Sequence, residues 1–209
     1  MELLESGIER LGLEASEDQI LGLRAYAALL LKWNRVYNLT AIENEEDVVI
    51  KHLLDSLTVL PYFKKVFGSN EASLLDVGAG AGLPSVPIAI MEPGWRVCAV
   101  DKVQKKCVFM RQAGATLRLG NFKVLHSRVE DLKGTYGIIT SRAFSSLSDF
   151  VGITEKMLSE DGSWMAMKGR YPEDEIKALP LQIEVRAVYK LSVPFLASER
   201  HLVEMVRKK

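Results

Sequence analysis

Apolar residues recur along this chain with two different periods, and the change from one to the other falls near Ser73. Ser16 and Gln19 form a capping-box pattern, and Ile20, Leu23, Ala27, Leu30 and Leu31 follow at helical spacing, which predicts a helix to about Asn34. A second helical pattern runs from Glu46 to about Leu60 and ends at Pro61. It sets His52 and Asp55 three residues apart, on neighbouring positions of one face.

From Ser73 the period shortens. Ser73–Val77, Arg96–Val100, Lys123–His126, Tyr136–Thr140 and Trp164–Met167 are short apolar or β-branched runs of the kind buried strands make. Helical stretches separate them: Val103, Cys107, Met110, Gly114 and Leu117 form one stripe, and Ser146–Leu158 follows the fourth strand. Strand alternating with helix predicts an α/β fold, a mostly parallel sheet with helices on both faces. Gln182–Leu191 and His201–Val206 read as two consecutive strands, which predicts an antiparallel hairpin at the sheet edge and brings the strands to seven. The 209 residues suit a single domain, with residues 1–70 as an N-terminal helical extension and 71–209 as the core.

Net charge is zero, but its distribution is uneven. Residues 1–50 carry 10 acids against 4 Lys and Arg, net −6, and residues 51–209 carry 17 against 23, net +6. The basic excess belongs to the part that carries the candidate chemistry. Cys98 and Cys107 lack the spacing of a zinc or redox motif, so neither a metal site nor a disulfide-linked partner is expected. The start, Met1-Glu2-Leu3-Leu4-Glu5, is acidic where a secretory signal would be basic, and no apolar run approaches a membrane span. A cytoplasmic protein without a membrane partner is expected.

The sharpest local signal is SLLDVGAGAGLPSVP, Ser73 to Pro87: a strand, a glycine turn and a helix start. Gly78, Gly80 and Gly82 match a nucleotide-binding loop. Leu83 stands where a dinucleotide fingerprint wants its third glycine, and Pro84 and Pro87 remove two N–H donors from the early helix. A pyrophosphate would find few donors there, and no phosphate-loop Gly-Lys-Ser/Thr is present. A ligand with ribose and adenine but no phosphate, S-adenosylmethionine, suits the loop better. Asp101, 23 positions after Gly78, either accepts the ribose hydroxyls or caps the helix beginning near Gln104.

With these residues the chain resembles the small-subunit ribosomal RNA guanine-N(7) methyltransferase G family, also called glucose-inhibited division protein B. The blocks that carry the resemblance, from about Trp33 to Val206, are Asn38-Leu39-Thr40, His52-Leu53-Leu54-Asp55-Ser56, the glycine loop, Ser127-Arg128-Val129-Glu130, Ser141-Arg142-Ala143, Lys168-Gly169, Pro172-Glu173-Asp174-Glu175 and Glu199-Arg200-His201. Ser85 departs from the pattern, because the family commonly has glycine there. The resemblance implies a class I, Rossmann-like methyltransferase fold, S-adenosylmethionine as methyl donor, and a guanine in the decoding-region loop of 16S ribosomal RNA as acceptor. It places Gly78, Gly80 and Leu83 at the methionine end of the donor, Val129 and Glu130 at its adenine, and Arg142 beside the reactive methyl. The partner it implies is 16S RNA or the small ribosomal subunit.

Guanine N(7) carries a free lone pair, so its methylation needs positioning more than a base. The fourth strand ends in Thr140-Ser141-Arg142, without the Asn-Pro-Pro-Tyr type of motif that amino-group methyltransferases tend to carry and without a cysteine that attacks a pyrimidine. Arg142 is therefore the leading catalytic candidate, as an anchor for an RNA phosphate or the guanine edge, with a strand-end salt bridge as the plain alternative. Asn38 either bonds the target base or closes a turn. His52, Asp55, Lys168 and Arg200 are substrate-site candidates, each with a structural alternative. His126, on a strand expected to be buried, reads as a core residue. Lys102, Lys105, Lys106, Arg111 and Arg118 are either a solvated helix face or a grip on RNA phosphates. Two rivals stay open: a methyltransferase for a small acceptor, and a non-catalytic module that binds S-adenosylmethionine or RNA.

Overall fold

A computed structural model describes residues 2–67, 72–142, 144 and 146–208. Ala143 of the Ser-Arg-Ala block and the expected boundary at residues 70 and 71 lie outside the described residues. The N-terminal part is helical: α1 Glu2–Arg10, α2 Glu17–Tyr37, α3 Glu45–Val48, a π-helical turn Val49–Leu54, α4 Asp55–Leu57 and α5 Leu60–Phe67. The capping box forms as expected, Gln19 N–H donating to Ser16 Oγ and Ser16 N–H to Gln19 Oε1. Helix α2 outruns its expected end by three residues and closes at Asn38, whose left-handed φ of 48° an asparagine tolerates. Pro61 does not end a helix. It is the second residue of α5, a first-turn position whose N–H would have no intrahelical partner.

The sheet comprises β1 Ser73–Val77, β2 Arg96–Asp101, β3 Phe122–His126, β4 Tyr136–Arg142, β5 Leu158–Lys168, β6 Ile183–Leu191 and β7 Arg200–Arg207, in the order β3-β2-β1-β4-β5-β7-β6. Strands β1 to β5 are parallel to one another, and β7 runs antiparallel to β5 and β6. The connecting helices are α6 Ser85–Met91, α7 Gln104–Thr116, α8 Leu147–Thr154 and α9 Glu173–Lys177. Strand β5 begins six residues before its apolar run, because Ser159-Glu160-Asp161-Gly162 reads as a turn yet pairs through a register shift opposite Tyr136 to Ile138.

Alternation along the strands divides the core by face. Leu74, Val97, Ala99, Ile138 and Met165 pack with α2, α6, α7 and the π-helical turn, while Leu75, Val77, Val100, Ile139 and Trp164 pack with α8. The N-terminal helices thus share one continuous buried layer with the sheet. Two long-range bonds from α2 fasten that layer, one to the glycine loop and one to the end of α6: Tyr26 Oη donates to Ala81 O at 2.7 Å and Gln19 Nε2 to Met91 O at 2.8 Å. His126 is not a core residue. Strand β3 is the sheet edge, and His126 is exposed there, its Nε2 3.2 Å from Lys102 O. Cys98 and Cys107 are separate buried thiols.

Candidate active site

Strand order reverses between β1 and β4, and ligands of open α/β sheets bind outside the carboxyl ends of the strands at such a point. A cavity of about 450 Å³ lies there. It brings together Gly78, Asp101, Val129 and Glu130 of the expected cofactor set, with Lys106 and Phe144 beside them. Gly78, Gly80 and Gly82 all have left-handed φ, at 68°, 62° and 87°. Their roles differ. A Cβ on Gly78 would meet nothing within 4 Å and would project into open space at the cavity wall, whereas one on Gly82 would lie 2.6 Å from Val86 Cγ2. Gly78 leaves room for a ligand, and Gly82 lets the loop pack on α6. Leu83 is buried with it.

The loop keeps few donors for an anion. Gly78 and Ala79 N–H donate to Val100 O, Gly82 and Leu83 to Ala79 O, Val86 to Gly82 O, Gly80 to Asp101 Oδ2 at 2.9 Å, and Ser85 to Asp76 Oδ2 at 3.2 Å. The two prolines and the loop's internal bonding together leave few N–H donors for a pyrophosphate. Asp101 Oδ1 also accepts from Val103 N at 2.8 Å, so the carboxylate does brace the start of α7. Each of its oxygens nonetheless keeps a second lone pair for a hydroxyl. The geometry therefore accommodates both readings of Asp101. Glu130 is exposed at the rim, and its own backbone N–H and Arg128 hold its carboxylate below the usual range.

Asp76, on β1 beneath the loop, is wholly buried, and its second oxygen and the Ser85 hydroxyl lack hydrogen-bond partners. Burial pushes its carboxyl up to about 7, against the pull of Ser85 and the more distant Arg142.

A second cavity of about 490 Å³ opens where β4 and β5 end and β7 begins. It gathers His52, Asp55, Arg142, Lys168 and Arg200 from elements far apart in sequence. Asp55 is the hub, its side chain only 3% exposed: Arg142 Nη1 donates to Oδ2 at 3.2 Å and Arg200 Nε to Oδ1 at 2.8 Å. The π-helical turn and the first residue of α4 present His52 and Asp55 to the same guanidinium, because Arg142 Nη2 also reaches His52 Nδ1 at 3.3 Å. Burial and then the Arg142 charge lower His52 to about 4, so the imidazole is neutral near pH 7. Both ring nitrogens are engaged: Nδ1 also lies 3.0 Å from Lys51 O, and Nε2 meets Thr40 Oγ1 at 2.8 Å. Lys168 Nζ pairs with Glu175 at 2.7 Å.

Asn38 lines neither cavity; its exposed position and left-handed backbone are those of a helix C-cap. Sequence reasoning gave no role to Thr40, Asp76 or Glu175, and it offered Lys106 only as part of a solvated helix face or a grip on RNA phosphates, not as a wall of the first cavity. An acid inside the apolar run Ser73–Val77 was a signal for Asp76, and the four-residue spacing of Lys102 and Lys106 was one for Lys106.

Comparison with known proteins gives this arrangement its family. Residues 19–203 match the family described as GidB, rRNA small subunit methyltransferase G. The chain belongs to the small-subunit ribosomal RNA methyltransferase G family. It is 48% identical over 203 residues to ribosomal RNA small subunit methyltransferase G of Leptothrix cholodnii, covering 97% of this chain and 93% of the relative. The corresponding enzyme of Methylobacillus flagellatus is 46% identical, covering 96% and 95%. The fold is that of class I methyltransferases. The Synechocystis magnesium protoporphyrin IX methyltransferase with bound S-adenosylmethionine superposes with TM-score 0.63 at 17% identity, covering 93% of this chain and 99% of that one. A Lactobacillus delbrueckii ribosomal protein L11 methylase gives 0.57 at 15%, covering 80% and 81%. Among the described residues of this family member, no helix is long and apolar enough to cross a membrane, and no three His, Cys, Asp or Glu side chains group as metal ligands.

Proposed function

We propose that this chain transfers the methyl group of S-adenosylmethionine to N(7) of a guanine in the decoding-region loop of 16S ribosomal RNA, acting on the RNA or the small subunit in the cytoplasm. The observation that carries the reading is the makeup of the second cavity, whose polar lining side chains are cationic donors apart from one carboxylate and one imidazole that are already paired. The Asp55 carboxylate is held by two guanidinium groups, and both imidazole nitrogens of His52 already have partners, Nδ1 beside Lys51 O and Arg142 and Nε2 beside Thr40 Oγ1. An amino or hydroxyl acceptor needs somewhere to send a proton, whereas guanine N(7) does not.

S-adenosylmethionine supplies a sulfonium methyl that a lone pair can take directly. Gly78, Gly80, Gly82 and Leu83 would hold its methionine end, Asp101 its ribose, and Val129 and Glu130 its adenine. The Gly78 gap and the spare lone pairs of Asp101 support that fit. Arg142 would hold the guanine edge or its phosphate from the wall of the second cavity, with Lys168 and Arg200 on the RNA backbone and His52 and Asp55 fixing the direction of Arg142. Asn38 would act from outside both cavities, at the edge of the RNA path. Alignment of this kind supplies roughly 7–11 kcal/mol in favourable cases. Incubating the protein with labelled S-adenosylmethionine and small subunits that lack the modification tests the reading. Digestion should then yield labelled 7-methylguanosine. Label on an amino group or on a pyrimidine would overturn it.

A further inference from the structure

The second cavity accounts for one base, yet a ribosomal RNA loop brings its neighbours with it. On the rim, the segment 169–171 between β5 and α9 is exposed, and Tyr171 keeps 56% of its surface accessible. That exposure is high for so large a side chain. Its ring meets His201 edge to face, with centroids 5.8 Å apart and planes at 86°. His201 is itself buried and anchored, its Nδ1 3.1 Å from Gly169 O. The contact therefore holds the tyrosine ring in place while leaving at least one π-face open to solvent. Gly169, two residues before Tyr171, lines the second cavity together with Lys168. Lys168, His201 and Lys190 form one cross-strand row over β5, β7 and β6, so their side chains share a sheet face. Lys190 and the neighbouring Arg170 are exposed, and neither forms an ion pair among the described residues.

An open, pre-positioned aromatic face flanked by unpaired cations beside a base-sized cavity is the arrangement that single-stranded nucleic acid recognises: bases stack on the ring and phosphates meet the charges. We propose that Tyr171 is a stacking platform for a nucleotide adjacent to the target guanine, with Arg170 and Lys190 contacting the phosphates on either side. The proposal rests on the RNA-methylation reading above. Stacking on aromatic side chains contributes about 1–3 kcal/mol per base, which corresponds to about 5- to 150-fold in affinity. The test is single-turnover methyl transfer to unmodified small subunits at saturating S-adenosylmethionine, measured against subunit concentration. Tyr171→Ala and Tyr171→Leu should both raise the half-saturating concentration by at least fivefold, with S-adenosylmethionine affinity and thermal stability unchanged. Tyr171→Phe and Tyr171→Trp should behave like the wild type. A Tyr171→Ala protein within twofold of wild type overturns the platform while leaving the RNA reading intact, and so does a Tyr171→Leu protein that binds normally. A wild type that transfers no methyl to subunits removes the RNA reading and the platform with it.

Discussion

His52 sits against the guanidinium proposed to hold the substrate, and histidine is the side chain that ordinarily titrates near neutrality. If it served as a base, the rate would follow its ionisation. Burial and Arg142 lower it to about 4, so at pH 6 only about 1% of the imidazole is protonated, and across pH 6–8.5 the neutral fraction stays essentially constant. An unperturbed histidine near 6.5 would be about three-quarters protonated at pH 6, and a rate depending on it would rise about fourfold over the same range. Single-turnover methyl transfer, with donor and small subunits both saturating, should therefore be flat from pH 6 to 8.5. His52→Ala should lower the rate through loss of Arg142 alignment, with the profile still flat. A rise of about fourfold centred between pH 6 and 7 that vanishes in His52→Ala would refute the reasoning and point to an acceptor that must lose a proton.

His52 and Asp76 bias stability in opposite directions. Depressed His52 contributes stability that is full above about 6.5 and is lost as pH falls through about 4, while raised Asp76 contributes stability that is full below about 3.8 and is lost as pH rises through about 7. Urea unfolding should therefore show Asp76→Asn gaining on the wild type by up to about 4 kcal/mol as pH rises from 4 to 8; a pH-independent difference would contradict a buried, raised carboxyl. Gly78→Ala should cost about 1–2 kcal/mol from its positive φ, and Gly78→Arg should abolish S-adenosylmethionine binding in calorimetry while the wild type ignores NAD. Tight NAD binding would contradict the cofactor reading. Binding to small-subunit RNA should weaken steeply with salt, and replacing exposed Lys105 with Ala should flatten the log–log slope by up to about one unit. Lys106 lines the first cavity, so its loss should weaken S-adenosylmethionine as well; normal donor affinity in Lys106→Ala would count against that placement.

Much of the fold was legible because buried strands and amphipathic helices leave periods in the sequence. The long β5 was not, because its first half pairs through polar residues and a register shift that resemble a turn. The glycine loop was legible because positive φ at three alternating positions demands glycine. What the sequence could not display was the clamp on Asp55: Arg142 lies 87 residues away and Arg200 145, and a π-helical turn brings His52 to the same guanidinium. The matching blocks named those residues without showing that they meet. Asn38 marks the converse case. Its block drew attention, but its backbone conformation already gives a helix-closing reason for an asparagine there.

The most direct test is mass analysis of 16S RNA from cells lacking this protein. The account predicts that a single 7-methylguanosine in the decoding-region loop disappears, returns with the wild-type gene, and fails to return with Arg142→Ala protein expressed at the same level. Retention of that methyl group in the deletion strain, or full restoration by Arg142→Ala, would contradict it.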